Sequence, residues 1–515
     1  MKVLLINPGQ YVPVKINYPL NAFQPLGIGY MANVLLKNGY KVNILDVLAE
    51  GNDQEEIVEE GKYRYVGLPQ EEIKKRIKII APDIVGVTMP FTAQSKAGHE
   101  MARLVKEINP KIKVVVGGSY PTAYADTILQ DKNIDFAVRG EGELTLLELV
   151  KEIEGKRNKF SKINKVCCSA IKGLVFKKDG KTIINLTRPP LANLDDYSVA
   201  WGLFPMDKYF EAAQNVRASR SISTYGKRWA TIYTSRGCPF TCSFCAGYLV
   251  MSRMWRPRSV DNVISEMEYL IDKYKIQHFD VEDDNFTLKK DRAKEICDKI
   301  IDKGWKIEWS TPNGIRADTV DEELIKKMKQ SGCVRTIVAP ESGSQWVVDN
   351  LMHKRLNLNK VKQVVVWCTK YKLSVDAFFL IGMPGEKERH IEKTIKYAQE
   401  LRRLGVNDCG FGVLMPHKGT EAHQTAVDNG WLKDSESDVL VKGLITGEPM
   451  IETPHLSIQD VKRLFKKARK VNPTIPYSQL RLAFLILTRS PKRFIKLSIS
   501  YLIKQLGFSE GILGT

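Results

Sequence analysis

The chain of 515 residues is 43% hydrophobic and 27% charged, a globular balance that excludes a mostly disordered polypeptide. Its 78 Lys and Arg against 59 Asp and Glu give a formal net charge of +19, and residues 461–515 hold twelve of the basic side chains but one acidic residue, Glu510. Over half of the excess therefore sits in the tail, which speaks against a nucleic-acid groove across the body and for a basic C-terminal appendage.

The opening MKVLLINPGQ reads as a buried strand rather than a signal peptide, since no apolar h-region or cleavage site follows. No apolar run reaches the roughly 18 residues of a spanning helix. The longest candidate near the end, residues 482–487, stops at Thr488-Arg489-Ser490-Pro491. Nine cysteines, an odd and sparse set, argue against a disulfide scaffold and for a reducing cytoplasm.

From residue 2 to about 154, β-branched runs alternate with amphipathic stretches. Strands are expected at 3–6, 41–45, 84–88, 113–116 and 135–138, with a first helix over 26–36. This alternation predicts an α/β fold with an N-terminal doubly wound parallel sheet in residues 1–154. Ligands of such sheets lie at the carboxyl ends of the strands. Those ends are Asn7-Pro8, Asp46, Thr88, Gly117-Gly118 and Gly140-Glu141-Gly142-Glu143. A connector, 155–229, carries a hairpin signal across Asp179-Gly180 and the stretch Arg188-Pro189-Pro190.

A second βα array occupies 230–421. Strands are expected at 231–234, 278–281, 306–310, 336–339, 374–380 and 410–415. Helices are expected at 260–274, 290–303, 321–329, 358–371 and 388–404. Six units predict a partial barrel rather than a closed eight-stranded one. Residues 422–515 read as a helical basic C-terminal region.

Directly after the first strand of this array comes Thr234-Ser235-Arg236-Gly237-Cys238-Pro239-Phe240-Thr241-Cys242-Ser243-Phe244-Cys245, where a βα barrel builds its active site. Three thiolates so spaced can wrap one compact cluster, and a 4Fe–4S cube held by three cysteines keeps one iron open. The alternatives are reduced structural thiols or a zinc site, which wants a fourth ligand that no neighbouring His or Cys supplies. Most other cysteines, Cys297, Cys333, Cys368 and Cys409 among them, read as small core residues, and the Cys167-Cys168 pair as structural.

Cys238, Cys242, Phe244 and Cys245 resemble the C-x3-C-x-aromatic-C motif of the radical S-adenosylmethionine (SAM) superfamily. The resemblance runs over residues 230–421: Val281-Glu282-Asp283-Asp284-Asn285-Phe286, Asn313-Gly314-Ile315-Arg316, Glu341-Ser342-Gly343-Ser344 and Ile381-Gly382-Met383-Pro384-Gly385-Glu386 look like its strand-end segments in the expected order. It implies that Cys238, Cys242 and Cys245 hold the cluster, whose open iron chelates SAM. It further implies that Phe244, Asp283, Asp284, Arg316, Glu341 and Gly382 line the SAM site. Cleavage of SAM then gives a 5′-deoxyadenosyl radical that removes a substrate hydrogen. Read without the resemblance, the carboxylates cap strand ends, Arg316 makes an ion pair and Gly382 shapes a tight turn.

An open sheet ahead of such a barrel resembles the cobalamin-binding subfamily. Pro25-Leu26-Gly27-Ile28-Gly29-Tyr30, Val116-Gly117-Gly118 and Arg139-Gly140-Glu141-Gly142-Glu143 carry this likeness over residues 1–154. It implies cobalamin at the strand ends named above, Asn7, Asp46, Thr88, Gly117, Gly118, Gly140 and Glu141. The reading from residues alone is ordinary strand-to-helix turns. The Asp-x-His-x-x-Gly loop that ligates cobalt through histidine is missing, so a protein His is not expected below the cobalt, and His99 lies inside a helical pattern. The missing loop also fits a sheet that has lost the cofactor.

The resemblance implies a cobalamin-dependent radical SAM enzyme that C-methylates, or cyclises or rearranges, an unactivated carbon of a small-molecule or lipid-like substrate. An electron donor such as flavodoxin or ferredoxin is implied with it. A methylthiotransferase-like enzyme on RNA or protein would carry a further N-terminal cysteine set, and no Cys precedes Cys167. A non-catalytic cobalamin sensor or electron-transfer protein has no use for the acidic and glycine segments around a SAM site. His417, after the last strand, is the one catalytic candidate, with a plain loop histidine as its alternative. The apolar and basic tail, with Phe494-Ile495-Lys496-Leu497 behind Lys492-Arg493, reads either as a peripheral contact at the inner face of an anionic membrane or as helices packed on the barrel.

Overall fold

The computed structural model describes residues 1–14, 22–157, 168–214, 223–432 and 448–472. Cys167 and the tail from residue 473 onward, on which the membrane reading rests, lie outside the described residues.

The N-terminal sheet has seven strands in the spatial order Lys181–Ile184, Leu174–Lys178, Phe136–Val138, Lys113–Gly117, Ile84–Thr88, Lys2–Asn7, Lys41–Asp46. Its five parallel strands run 2-1-3-4-5 across the sheet, the doubly wound order whose switch point lies between the first and third strands. Asn7 and Thr88 end those two strands. The run Val3–Ile6 is apolar throughout because both faces are covered. Val3 and Leu5 pack under the helices Leu26–Lys37 and Glu143–Arg157, while Leu4 and Ile6 pack under Gln70–Ile80 and Ser95–Ile108.

The hairpin turns at Asp179-Gly180 as expected, but its strands join the N-terminal sheet: Leu174–Lys178 pairs antiparallel with Phe136–Val138. Its apolar residues Leu174, Val175 and Phe176 are buried there, which a free-standing hairpin could not provide. A three-stranded antiparallel sheet in the spatial order Gln10–Pro13, Tyr63–Val66, Glu55–Val58 has no counterpart among the elements expected from the sequence. Its strand Glu55–Val58 is largely exposed and acidic, so neither period nor propensity marks it.

The second array is a six-stranded parallel sheet in chain order: Trp229–Ile232, His278–Val281, Glu308–Ser310, Cys333–Glu341, Ser374–Ile381 and Cys409–Val413. Val260–Tyr274, Lys290–Asp302, Glu322–Gln330, Leu358–Lys370 and Glu388–Leu404 supply the helices, and their apolar faces merge with the connector and one face of the N-terminal sheet into a continuous core. The first strand runs two residues earlier than expected, because Ser235-Arg236 leaves the barrel to form a short ribbon with Arg256-Pro257.

An open barrel has two free strand edges, and side-chain amides bond to the backbone of both edge strands. Buried Gln24 donates to the Trp229 carbonyl at 3.2 Å and accepts from Thr231 N–H at 3.1 Å. At the other edge Asn472 accepts from Cys409 N–H at 2.9 Å and donates to its carbonyl at 2.8 Å. Asn472 follows the helix Ile458–Arg469, whose Val461, Leu464 and Ala468 pack with Ile381 and Val413.

Candidate active site

The cysteine loop leaves the first barrel strand through Gly237, which has φ +85. A side chain there would put Cβ 2.3 Å from the Met254 carbonyl and 2.8 Å from that of Met251, so only glycine lets the loop fold this tightly. The Cys238 N–H donates to the Ser252 carbonyl at 3.3 Å. Ser243, between the last two cysteines, is fixed on three sides: its N–H donates to Met352 O (3.0 Å), its hydroxyl to Leu351 O (2.6 Å), and its carbonyl accepts from Ala422 N–H (2.9 Å).

Cys238 and Cys242 are half-buried and Cys245 is exposed. Burial pushes all three thiols upward; Asp284 adds to this at Cys238 and Cys245, while Lys354 opposes it at Cys242 and Cys245. The polypeptide alone therefore keeps them protonated, and a bound metal's charge is what makes them thiolates. Among the described residues no fourth His, Cys, Asp or Glu closes with the three thiols on a single ion. A Cβ on Gly247 would stand 3.6 Å from Cys245 Sγ and 3.5 Å from Asp284 Oδ1, so its absence opens space beside the thiol. Donor type, number and spacing fit a 4Fe–4S cluster with one iron left open.

The two aspartates after the second strand do different things. Both oxygens of buried Asp283 are taken: Oδ1 accepts from Thr234 N–H and Oδ2 from the Thr234 and Ser235 hydroxyls, each at 2.6 Å. Asp283 thus ties down the root of the loop. Asp284 accepts from Gly237 N–H at 3.0 Å, and burial pushes its carboxyl upward.

The Arg316 guanidinium carbon stands 3.5 Å over the ring centroid of Phe240, within the cysteine loop. It is held by Asp318 at 2.8 Å and by the Lys354 carbonyl at 2.6 Å. Glu341 ends its strand at φ +64, beyond a break in register with the next strand, and accepts from Lys354 Nζ at 2.7 Å. Gly382 and Met383 donate their N–H groups to one oxygen of Glu386, at 2.8 and 3.1 Å. Glu386 is fully buried, and burial raises its carboxyl to about 7. Phe244 packs against the apolar cluster that includes Met352, Met383 and Leu414. The His417 carbonyl accepts from Thr420, and burial, then His423, lowers the imidazole, which is neutral at pH 7.

In the N-terminal sheet the predicted residues separate into two groups. Asn7 donates to Asp46 at 2.9 Å; Asp46 also caps the short helix Val47–Glu50 through Ala49 N–H and accepts from Tyr209 Oη at 2.6 Å. Asp46 is buried and its carboxyl is raised to about 6. Both oxygens of Glu141 are likewise engaged, with Arg236, Arg256 and Leu191 N–H. Thr88, Gly117, Gly118 and Gly140 remain at the strand ends without such side-chain networks. Gly118, φ +125, would bring a Cβ to 2.4 Å from the Met89 carbonyl. Gly140 donates to Thr122 Oγ1 at 3.0 Å, and a Cβ on it would meet Val250 O at 3.8 Å, in the short helix Tyr248–Met251 that follows Cys245. The Gly140 end of the sheet thus lies against the helix that follows the cysteine loop, at strand ends that carry glycine rather than bulky side chains. His99 pairs with Asp131 at 2.7 Å in the helix Ser95–Ile108.

The sequence reading did not single out Gln24, Tyr209, Ser243, Arg256, Lys354 or Glu386. Glu386 and Ser243 stand inside motif stretches and had a local signal; the others act through partners far along the chain. A surface cavity of about 500 Å³ lies between the helices Leu358–Lys370 and Glu388–Leu404, outside the barrel.

Comparison with known proteins bears on this arrangement. The family model described as the B12 binding domain matches residues 16–150, and that of the radical SAM superfamily matches 232–398. The chain is 31% identical over 489 residues to cytidylyl-2-hydroxyethylphosphonate methyltransferase of Streptomyces wedmorensis, covering 88% of each. It is 26% identical to the anaerobic magnesium-protoporphyrin IX monomethyl ester cyclase of Rubrivivax gelatinosus, over 78% of this chain and 66% of the relative. Among solved structures, the radical SAM methyltransferase TsrM from Kitasatospora setae shares the fold, with a TM-score of 0.63 at 18% identity over 84% of this chain and 77% of that one. With its three-cysteine loop at the mouth of a partial barrel and its glycine-edged doubly wound sheet behind that loop, this chain belongs to the radical SAM superfamily, in the subfamily of enzymes that join a cobalamin-binding domain to the SAM-cleaving barrel and use a 4Fe–4S cluster, SAM and cobalamin.

Proposed function

We propose that the enzyme methylates an unactivated carbon of a small molecule. The observation that supports this reading is that the Gly140 strand end lies against the helix Tyr248–Met251, so that the proposed cobalamin strand ends and the cysteine loop of one chain are neighbours. The methyltransferase relative at 31% identity supports it. The bound groups supply the electron, the radical and the methyl carrier. The residues supply order and dryness.

Cys238, Cys242 and Cys245 hold the cluster. Arg316 packs over Phe240 between two of them, and Lys354, paired with Glu341, sets a cation near Cys242 and Cys245. Glu386 holds the Gly382-Met383 turn, and Phe244 packs beneath the same end of the barrel. Asp284 fixes Gly237, while Asp283 ties the loop root to Thr234 and Ser235. Thr88, Gly117, Gly118 and Gly140 line the seat for cobalamin, and Asn7 and Asp46 hold its floor through Tyr209. No histidine is assigned below the cobalt. His417 stands at the mouth as a neutral imidazole able to accept a proton.

An acidic one-electron donor such as flavodoxin or ferredoxin fits the exposed side of the loop, where Pro239, Thr241 and Cys245 reach the surface beside Arg253. Ring closure is the second reading, favoured by the 26% identity to the cyclase. The test is anaerobic incubation of the loaded enzyme with a small-molecule extract and SAM carrying a deuterated methyl group. Transfer of that label to a carbon of a product supports methylation. Product formation without label, with hydrogen loss, favours the cyclase reading.

A further inference from the structure

The cofactor seats leave one buried group unexplained, the charges between them. Glu141 and Glu143 sit at the carboxyl end of Phe136–Val138; Arg236 and Arg256 face each other in the ribbon beneath the cysteine loop. Glu141 accepts from Arg236 Nη1 at 2.9 Å and from Arg256 Nη1 at 2.8 and 3.0 Å, and Glu143 accepts from Arg236 Nη1 at 2.8 Å. Arg256 also donates to the carbonyls of Leu191 (2.8 Å) and Met251 (2.9 Å), and Leu191 N–H returns a bond to Glu141 at 2.8 Å. The Arg236 guanidinium lies 4.4 Å over Tyr30 of the helix Leu26–Lys37. All four charged side chains are 4–6% exposed.

Four segments therefore meet here: the glycine edge of the first sheet, its first helix, the connector, and the loop that carries the cysteines. Two anions against two cations balance, so no charge is stranded. Buried ion networks add little over apolar packing of the same volume; what they hold well is one geometry. Arg236 stands two residues before Cys238, and Met251 belongs to the helix that Gly140 touches, so the geometry held is that of the cleft between the seats.

We propose that Glu141, with Arg236 and Arg256, is a register device that fixes the cobalamin seat over the cysteine loop, and that Glu141 is a positioning residue and not a ligand of the cofactor. The proposal rests on the two cofactor seats and not on the methylation outcome. Its test compares the full chain with Glu141→Gln and Arg256→Lys, each loaded anaerobically with iron, sulfide and hydroxocobalamin. Iron and cobalamin per chain are counted, and after reduction the separation of cob(II)alamin and the cluster is read by pulsed electron paramagnetic resonance.

The wild type gives one narrow distance. Glu141→Gln keeps both cofactors, and its distance broadens or shifts; Arg256→Lys, which keeps the charge but loses the fork, gives the same change to a smaller degree. An unchanged distance with unchanged cofactor content would overturn the proposal, as would loss of cobalamin alone, which makes Glu141 a ligand. Hydrogen exchange of the unloaded proteins covers the remaining outcomes. Faster exchange in Glu141→Gln is expected in the helix Ser119–Ala123, whose Thr122 accepts from Gly140, and in the Tyr248–Met251 helix packed against it, even if the wild type retains no cobalamin, a result that would sink the seat assignment instead. Unaltered exchange there would overturn the register role.

Discussion

Burial, more than charge pairing, decides the state of the carboxyls that shape both ends of the molecule. Asp46 is raised to about 6 and Glu386 to about 7, in each case first by burial and against the hydrogen bonds they accept. A carboxyl whose folded pKa is raised binds its proton more tightly folded than unfolded. Its contribution is full below the unfolded value and is lost as pH rises through the folded one. For Glu386 that window runs from about 4.5 to about 7, and at roughly 1.4 kcal/mol per unit the loss is on the order of 3 kcal/mol. Thermal unfolding of the unloaded protein should show stability falling across this range, and Glu386→Gln should flatten that part of the profile. An unchanged profile in the variant would mean that Glu386 is not the titrating group. The cysteines were legible because their signal is local, three thiols within eight residues. The partners of Asp46 and Glu141 were not: Tyr209 lies 163 residues from Asp46, and Arg236 lies 95 from Glu141. A strand-end carboxylate looks the same in sequence whether it meets a cofactor, a tyrosine or an arginine.

Elements with a strong period were placed well. The helices Val260–Tyr274 and Glu388–Leu404 begin and end where the apolar spacing puts them, the first of them behind the Ser259 cap. The small antiparallel sheet was missed because its strands are short and half-exposed, and the hairpin's membership of the large sheet was missed because apolar runs do not name their neighbour. Within the elements, glycine sorts by backbone. Gly237→Ala forces Cβ against three carbonyl oxygens at 2.3 to 3.0 Å, so the ribbon must open. Several-fold less iron per reconstituted chain is expected, with a destabilisation of about 1–3 kcal/mol. Gly155→Ala, in the helix Glu143–Arg157 with nothing within 4 Å of the new Cβ, should instead stabilise by about 0.5–1 kcal/mol. Iron content and unfolding midpoints check both, and equal behaviour of the two variants would contradict the role given to Gly237.

For the molecule as a whole, the order of domains was legible from two arrays of alternating strands and helices, while the way they meet was not. Their junction is made by Gln24 at the barrel edge, by Glu141 with Arg236 and Arg256, and by Tyr209 on Asp46, all long-range contacts without a sequence signature. No helix among the described residues is long and apolar enough to cross a membrane. The basic tail keeps two readings with different outcomes: peripheral membrane contact predicts that the full chain sediments with anionic vesicles in a salt-sensitive way and a chain ending at Pro473 does not, whereas packing on the barrel predicts equal sedimentation of the two or loss of soluble folding on truncation. Equal sedimentation of the two would remove membrane contact from the account.

The central claim is that one chain cleaves SAM reductively at the cysteine loop. Its most direct test is the yield of 5′-deoxyadenosine from SAM, by mass spectrometry, after anaerobic reduction of cluster- and cobalamin-loaded protein. The wild type is expected to give 5′-deoxyadenosine, and to lose it together with the bound iron when Cys238, Cys242 and Cys245 are all replaced by Ala. The same yield from that variant, or none from the fully loaded wild type, would contradict it.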